Sequence, residues 1–194
     1  MSNYERLKPG VRKSLPEVDL IADPDLRDRV VSAWAMSLAE TEFQSIEEMR
    51  PSGNPNTPPL KQGTQADHLR GVACLAVAMA EAIESVLGDV GVNRDILVAA
   101  ALCHDIGKPF EFSPANQKRW KANPRESGYP AMRHPVYGAH IAISAGLPEA
   151  VCHAAGAHSG EGELVVRSLE NTIVHHADHA FWRILAAAGM LVEE

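Results

Sequence analysis

Aromatic residues are scarce in this chain, at 5% of 194 residues, and cysteines number three. A sheet-rich protein draws on β-branched and aromatic side chains, so this composition, with its abundant alanine, argues for close-packed helices. The cysteines Cys74, Cys103 and Cys152 are odd in number and widely spaced. That excludes a disulfide framework and a thiolate zinc site, and leaves buried free thiols in a reducing cytoplasm as the expectation. Long apolar runs are missing too: nothing approaches the roughly 18 uninterrupted apolar residues of a membrane span. The stretch Met1–Lys13 is polar and charged, unlike a secretory leader, so a cytoplasmic location is expected. The formal charge of −7 speaks against a nucleic acid polymer as partner.

That charge is uneven. Between Lys108 and Arg133 six bases (Lys108, Lys118, Arg119, Lys121, Arg125, Arg133) face two acids (Glu111, Glu126), giving +4 there and −11 elsewhere. A basic stretch of this kind suits a small anionic substrate, although a solvated loop with ordinary lysines explains it as well. Lys118, Arg119, Arg125 and Arg133 are the candidate anion contacts, and Tyr129 can stack on a ring. Trp120 is assigned to covering the loop.

Residues 1–63 are expected to form an irregular lead-in, a helix and a loop packed on a helical domain of residues 64–194, the whole making one compact unit. Residues 1–24, with Pro9, Gly10, Pro16 and Pro24, read as irregular, and Asp25 as the cap of a helix reaching Met49. The proline-rich stretch Pro51–Gly63 reads as a loop, a candidate wall or lid of a site. A helix from Thr64 or Gln65 to Leu87, apolar on most sides, is placed in the middle of the bundle. Asn93 can cap a helix running to about Asp105. Pro109–Arg133 reads mainly as loop, Pro135–Ala145 and Pro148–His158 as short helices, Ser159–Gly162 as a turn, and Glu163 or Val165 to Ala188 as a final helix.

One apolar run, Ile96–Cys103, ends by delivering His104 and Asp105 side by side in His-Asp-Ile-Gly-Lys. Burying an acid without a partner is costly, and a metal ion is the usual solution. Neighbours on a helix point about 100° apart, so the pair can chelate together only where the helix frays, just before Gly107. Imidazole and carboxylate suit borderline divalent ions. Further candidates are His68, His134, His158 and Asp178. Among the other histidines, His140 is assigned to packing or a polar rim and His153 lies off the face of His158. His175 and His179 flank Asp178 one turn apart and are candidates to orient ligands or touch substrate; His176 is assigned nothing.

With these residues in place, the chain resembles the HD-domain superfamily of metal-dependent phosphohydrolases over about residues 64–182. The matching elements are His68 in Ala-Asp-His-Leu-Arg, the doublet in His104-Asp105-Ile-Gly-Lys108, His134 in Arg-His-Pro-Val-Tyr-Gly-Ala, His158 in Ala-His-Ser-Gly, and Asp178 in His-His-Ala-Asp-His. The resemblance implies an all-α HD-domain helical bundle with a metal site in its core. Its simplest members hold one metal with the residues matching His68, His104, Asp105 and Asp178. Members with two more histidines hold two, and His134 and His158 fill those places, with Asp105 bridging. The implied cofactors are two divalent ions, iron or manganese first, with cobalt, nickel, zinc or magnesium as alternatives.

A bridging hydroxide would attack a phosphate ester, with Asp105 and Lys108 as catalytic residues and a small anionic or nucleotide substrate. Lys108 also has a plainer explanation, a lysine complementing a helix C-terminus. Some relatives with the same four-His, two-Asp set are mixed-valent di-iron oxygenases acting on small polar substrates, and the ligand pattern does not separate the two chemistries. Cyclic-dinucleotide phosphodiesterases of the HD-GYP branch share the doublet, but Ser159-Gly160-Glu161-Gly162-Glu163 replaces their signature after His158. A homo-oligomer is left open.

Overall fold

The computed structural model describes residues 4–51 and 58–192, so residues 52–57 of the expected lid loop lie outside the described residues. Among the described residues it is helical, with no strand beyond one isolated antiparallel bridge between Leu60 and Leu191. The all-α expectation holds. No helix of the described residues is long and apolar enough to cross a membrane.

Proline accounts for most departures from the expected elements. The lead-in is not irregular: it forms α1 (Lys8–Ser14) and a 3-10 turn (Pro16–Leu20). Pro9 lies in the first turn of α1, where a missing N–H costs nothing. The buried series Leu7, Val11, Leu15, Val18 and Ile21 pins this segment to the core.

Helix α2 (Pro24–Ala39) is capped by Asp23 rather than Asp25, through the N–H groups of Asp25 (2.9 Å) and Leu26 (3.4 Å). It stops ten residues short of Met49, where the Thr41 hydroxyl donates to the Leu38 carbonyl (3.0 Å). Ile46 is buried from a separate 3-10 turn (Ile46–Glu48), so apolar burial continues beyond the end of the helix.

The stretch read as loop after Pro109 is also helical: α5 (Lys108–Phe112), α6 (Pro114–Ala122) and α7 (Pro124–Ser127). Each carries a proline at its first or second position, so prolines taken as breaks are starts.

The remaining helices are α3 (Gln65–Leu87), α4 (Arg94–Cys103), α8 (His134–Ser144), α9 (Glu149–Ala157) and α10 (Leu169–Ala187). Helix α4, not α3, occupies the middle, packing against α2, α3, α9 and α10. Every residue from Leu97 to Cys103 is buried, and the alanines 99–101 let four neighbours approach closely. Helix α3 has a buried face that runs as far as Ala80; beyond it Ile83, Val86 and Leu87 are exposed, and so is Cys74, against the expectation of three buried thiols.

The turn after His158 is a 3-10 segment (Gly160–Leu164), and α10 begins four to six residues later than expected, capped by Ser168 through Asn171 N–H (3.2 Å). Arg167 holds the intervening chain off a helical path by donating to the carbonyls of Ala157 and Ser159, both at 2.8 Å.

Two side chains of α2 close the end of α4. Trp34 Nε1 donates to the Leu102 carbonyl (2.8 Å) and Ser37 Oγ to that of Ile106 (2.6 Å), satisfying groups a helix end leaves orphaned.

The turn beyond α4 meets the start of α8 backbone to backbone at Gly107 and Gly138. A Cβ on Gly107 would lie 2.1 Å from the His134 carbonyl oxygen and 2.6 Å from Gly138 N. Gly107→Ala should therefore destabilise the protein by about 1–3 kcal/mol, measured by denaturant unfolding. An unchanged midpoint would mean that α8 is free to move away.

Candidate metal centre

Helix ends deliver most of the candidate ligands. His104 is the residue after α4, and its Nδ1–H folds back onto the Ala101 carbonyl at 2.7 Å. His158 stands in the same place after α9, its Nδ1–H directed at the carbonyls of Ala154 (3.2 Å) and Ala155 (3.3 Å). Each histidine thus anchors Nδ1 on carbonyls in the last turn of its own helix and turns Nε2 away from it. His134 opens α8. His68 lies in the first turns of α3, behind a capping box in which Thr64 N–H donates to Asp67 (2.8 Å) and Thr64 Oγ1 accepts from Asp67 N–H (3.4 Å). Asp178 comes from within α10.

All six candidate ligands converge. The Nε2 atoms of His68 and His104 are 3.2 Å apart, and those of His134 and His158 are 3.3 Å apart. Asp105 stands between the pairs: Oδ2 lies 3.3 Å from His68 Nε2 and 3.5 Å from His104 Nε2. Its Oδ1 lies 3.1 Å from His134 Nε2 and 3.6 Å from His158 Nε2. Asp178 Oδ1 is 3.4 Å from His68 Nε2. Among the described residues, two sets of donor atoms lie close enough together to share an ion, His68 with His104 and Asp178, and His104 with Asp105 and His158.

The donor chemistry fits divalent ions. The Nδ1 hydrogen bonds of His104, His134 and His158 leave their Nε2 atoms as lone-pair donors, and lone pairs crowded together repel unless a cation lies among them. Asp178 Oδ1 is buried without a hydrogen-bond partner, as expected of an atom reserved for a metal.

The electrostatics agree. Burial pushes His104 down to about 4, against the pull of Asp105 and Asp178, so at neutral pH it is an uncharged ligand. Burial works to raise the Asp105 carboxyl, but the Lys108 ammonium and the imidazoles of His104 and His134 outweigh it and hold the group well below the usual range. Asp178 is likewise held low, its burial outweighed by His68 and His104.

Two buried residues at the centre lie outside the sequence expectations. Glu111 Oε2 accepts from both His134 Nδ1–H (2.6 Å) and His134 backbone N–H (2.7 Å), and so sets the ring's orientation and tautomer. Its carboxyl is held low because the hydrogen bond and charge of His134, with Lys108, outweigh burial. Gln65 Nε2 donates to Asp105 Oδ2 at 2.8 Å. Glu111 sits inside the basic stretch as its first acid, which was the available signal; Gln65 offered none.

Lys108 is buried, its Nζ 4.0 Å from Asp105 Oδ1 and 4.8 Å from the Phe112 ring centroid. It begins α5 rather than ending α4, so the macrodipole explanation is reversed and its charge answers Asp105. Arg133 is half-buried, its Nε 3.7 Å from Glu111 Oε1 and 3.5 Å from Glu161 Oε1.

Lys118, Arg119 and Arg125 are exposed on α6 and α7. Tyr129 donates its hydroxyl to Gln117 Oε1 (3.0 Å), with Lys121 Nζ 5.6 Å from its ring centroid. Trp120 is buried beside Phe110, a packing residue. His140 and His176 are exposed and His153 is half-buried. His175 Nδ1 donates to the His158 carbonyl (2.6 Å), and the His179 ring lies 4.3 Å from that of His175.

The family model of the HD domain matches residues 66–180. A dihydroneopterin 2′,3′-cyclic phosphate phosphodiesterase of Methanocaldococcus jannaschii is 43% identical over 51 residues, 26% of this chain and 20% of that protein. The similarity thus spans about a fifth of the relative's length. No solved structure matches the chain significantly.

Glu111→Ala should weaken divalent-metal affinity by about 10–100-fold, read by chelator competition; unchanged affinity would show that His134 needs no such support. In chelator-treated protein, stability should fall as pH drops from 6.5 towards 4, because the unfolded chain protonates its His104 imidazole before the folded one does. A flat urea midpoint across that window would contradict a buried neutral His104.

Proposed function

The chain belongs to the HD-domain family, and from this we propose that it is a metal-dependent phosphohydrolase cleaving a phosphate ester of a small anionic or nucleotide substrate. The observation that carries the proposal is the division of Asp105 between two pairs of imidazoles, one oxygen facing each. In this reading His68, His104 and Asp178 would hold one divalent ion and His134 and His158 a second, with Asp105 available to both. Iron or manganese suits the four-His, two-Asp set best, with cobalt, nickel, zinc or magnesium as alternatives. When bound, the ions supply Lewis-acid polarisation of phosphoryl oxygens and a nucleophile at neutral pH.

The chain's own residues do the rest. Lys108 presents a buried ammonium beside Asp105, where it can meet a substrate oxygen. Glu111 keeps His134 turned inward, and Gln65 holds the Asp105 carboxylate in place. Arg133, Lys118, Arg119 and Arg125 draw the anionic substrate to the rim, with Tyr129 beside them. The similarity to a cyclic phosphate phosphodiesterase, over about a fifth of that protein, supports phosphorus-centred chemistry here.

The deciding experiment is metal analysis of protein purified without added metal, followed by phosphate-release assays with and without oxygen. Metal-dependent release without oxygen is expected. Two irons with an oxygen-dependent product would instead establish the mixed-valent di-iron oxygenase reading. Asp105→Ala should lose metal and phosphate release together, and full metal stoichiometry in that variant would remove the bridging role.

A further inference from the structure

Beside the centre lies a cavity of about 250 Å³ lined by Phe43, Glu48, Met49, Arg50 and Phe112. We propose that this cavity takes a planar heteroaromatic ring carried by the phosphate ester whose scissile group lies at the metal centre. The inference rests on the phosphohydrolase reading and extends it to the non-reacting part of the substrate.

The two aromatic walls come from distant parts of the chain and are held together by their immediate neighbours. Glu42 accepts from Ser113 Oγ (2.8 Å) and from Ala115 N–H (3.1 Å), locking the turn that bears Phe43 onto the junction of α5 and α6 that bears Phe112. The Ser113 hydroxyl holds the Glu42 carboxyl below its ordinary value. Both rings remain only partly buried despite this fixed junction, while Met49, which also lines the cavity, is buried.

Two contacts tie the cavity to the centre. On one wall, the Phe112 ring lies 4.8 Å from Lys108 Nζ, which is itself 4.0 Å from Asp105 Oδ1. On the other, the Met49 carbonyl accepts from Gln65 N–H (2.9 Å), and the Gln65 side chain donates to Asp105 (2.8 Å). Each wall is thus one residue removed from the bridging carboxylate.

The size and lining select the occupant. A whole small-molecule ligand needs roughly 300–1,000 Å³, so this space suits one part of a substrate. Two phenyl rings and a thioether in the lining favour a flat, polarisable group. Arg50 and Glu48 add a donor and an acceptor, which match the polar edge of a heterocycle rather than a plain hydrocarbon ring. Binding energy gained here, away from the reacting bond, is available to orient the ester at the centre.

The test uses the full-length, metal-loaded protein. Dissociation constants for adenosine 5′-monophosphate, guanosine 5′-monophosphate, flavin mononucleotide and ribose 5-phosphate are measured by titration calorimetry, with phosphate release followed in parallel. At least one ring-bearing ester should bind on the order of 10- to 100-fold more tightly than ribose 5-phosphate. Phe43→Leu and Phe112→Leu, which keep apolar bulk without the π face, should collapse that ratio, and Phe43→Trp should preserve it. Equal affinities for all four esters would overturn the subsite. So would a ratio untouched in both leucine variants when their melting temperatures match the parent's. A ring preference without phosphate release would keep the subsite and sink the hydrolase reading; equal release and equal binding would do the reverse.

Discussion

A single buried carboxylate organises this protein. Asp105 lies within 3.6 Å of four imidazole nitrogens, and its two oxygens face different pairs of them. Taking such a group out of water carries a penalty of several kcal/mol unless positive charge meets it. The fold concentrates every available response at that point: Lys108, a Gln65 hydrogen bond, and a donor set arranged for divalent cations. Remove the carboxylate and the imidazoles lose the group they share.

Short helices make the arrangement possible. Inside a helix, backbone groups are committed and adjacent side chains diverge; at a helix end, orphaned carbonyls need donors and the chain is free to turn. His104 and His158 exploit the same geometry after α4 and α9, each anchoring one ring nitrogen to its own helix and offering the other to the centre. The crossing of Gly107 and Gly138 then lets α8 bring His134 against the same point. The alanine-rich α4 matters for the same reason, since bulky residues there would hold the converging helices apart.

The segment from α5 to α7 connects the centre to its surroundings. Its acid Glu111 turns inward to His134, and Arg133 pairs with Glu111 and Glu161, so part of the basic stretch serves the interior. Lys118, Arg119 and Arg125 remain on the surface. The Glu42 latch ties the same segment to the end of α2 and defines the aromatic cavity beside the centre. Charge, ligand support and candidate substrate recognition therefore share one hydrogen-bonded stretch of short helices.

Local chemistry made the helical class legible, together with the cap at Asn93, and the family resemblance singled out the six residues that converge in the structure. Alanine-rich apolar runs, a His-Asp doublet before glycine and capping residues each act within a few positions of the chain. Proline misled where its two uses look alike, as a break or as a first-turn residue; α1, α5, α6 and α7 turned on that distinction. Glu111 and Gln65 acquire their roles from contacts with His134 and Asp105, 23 and 40 positions away. The placement of α4 at the centre, the inward turn of Lys108 and the lining of one cavity by both Phe43 and Phe112 likewise depend on segments meeting across the fold, because burial and ion pairing are set by spatial neighbours rather than by sequence spacing.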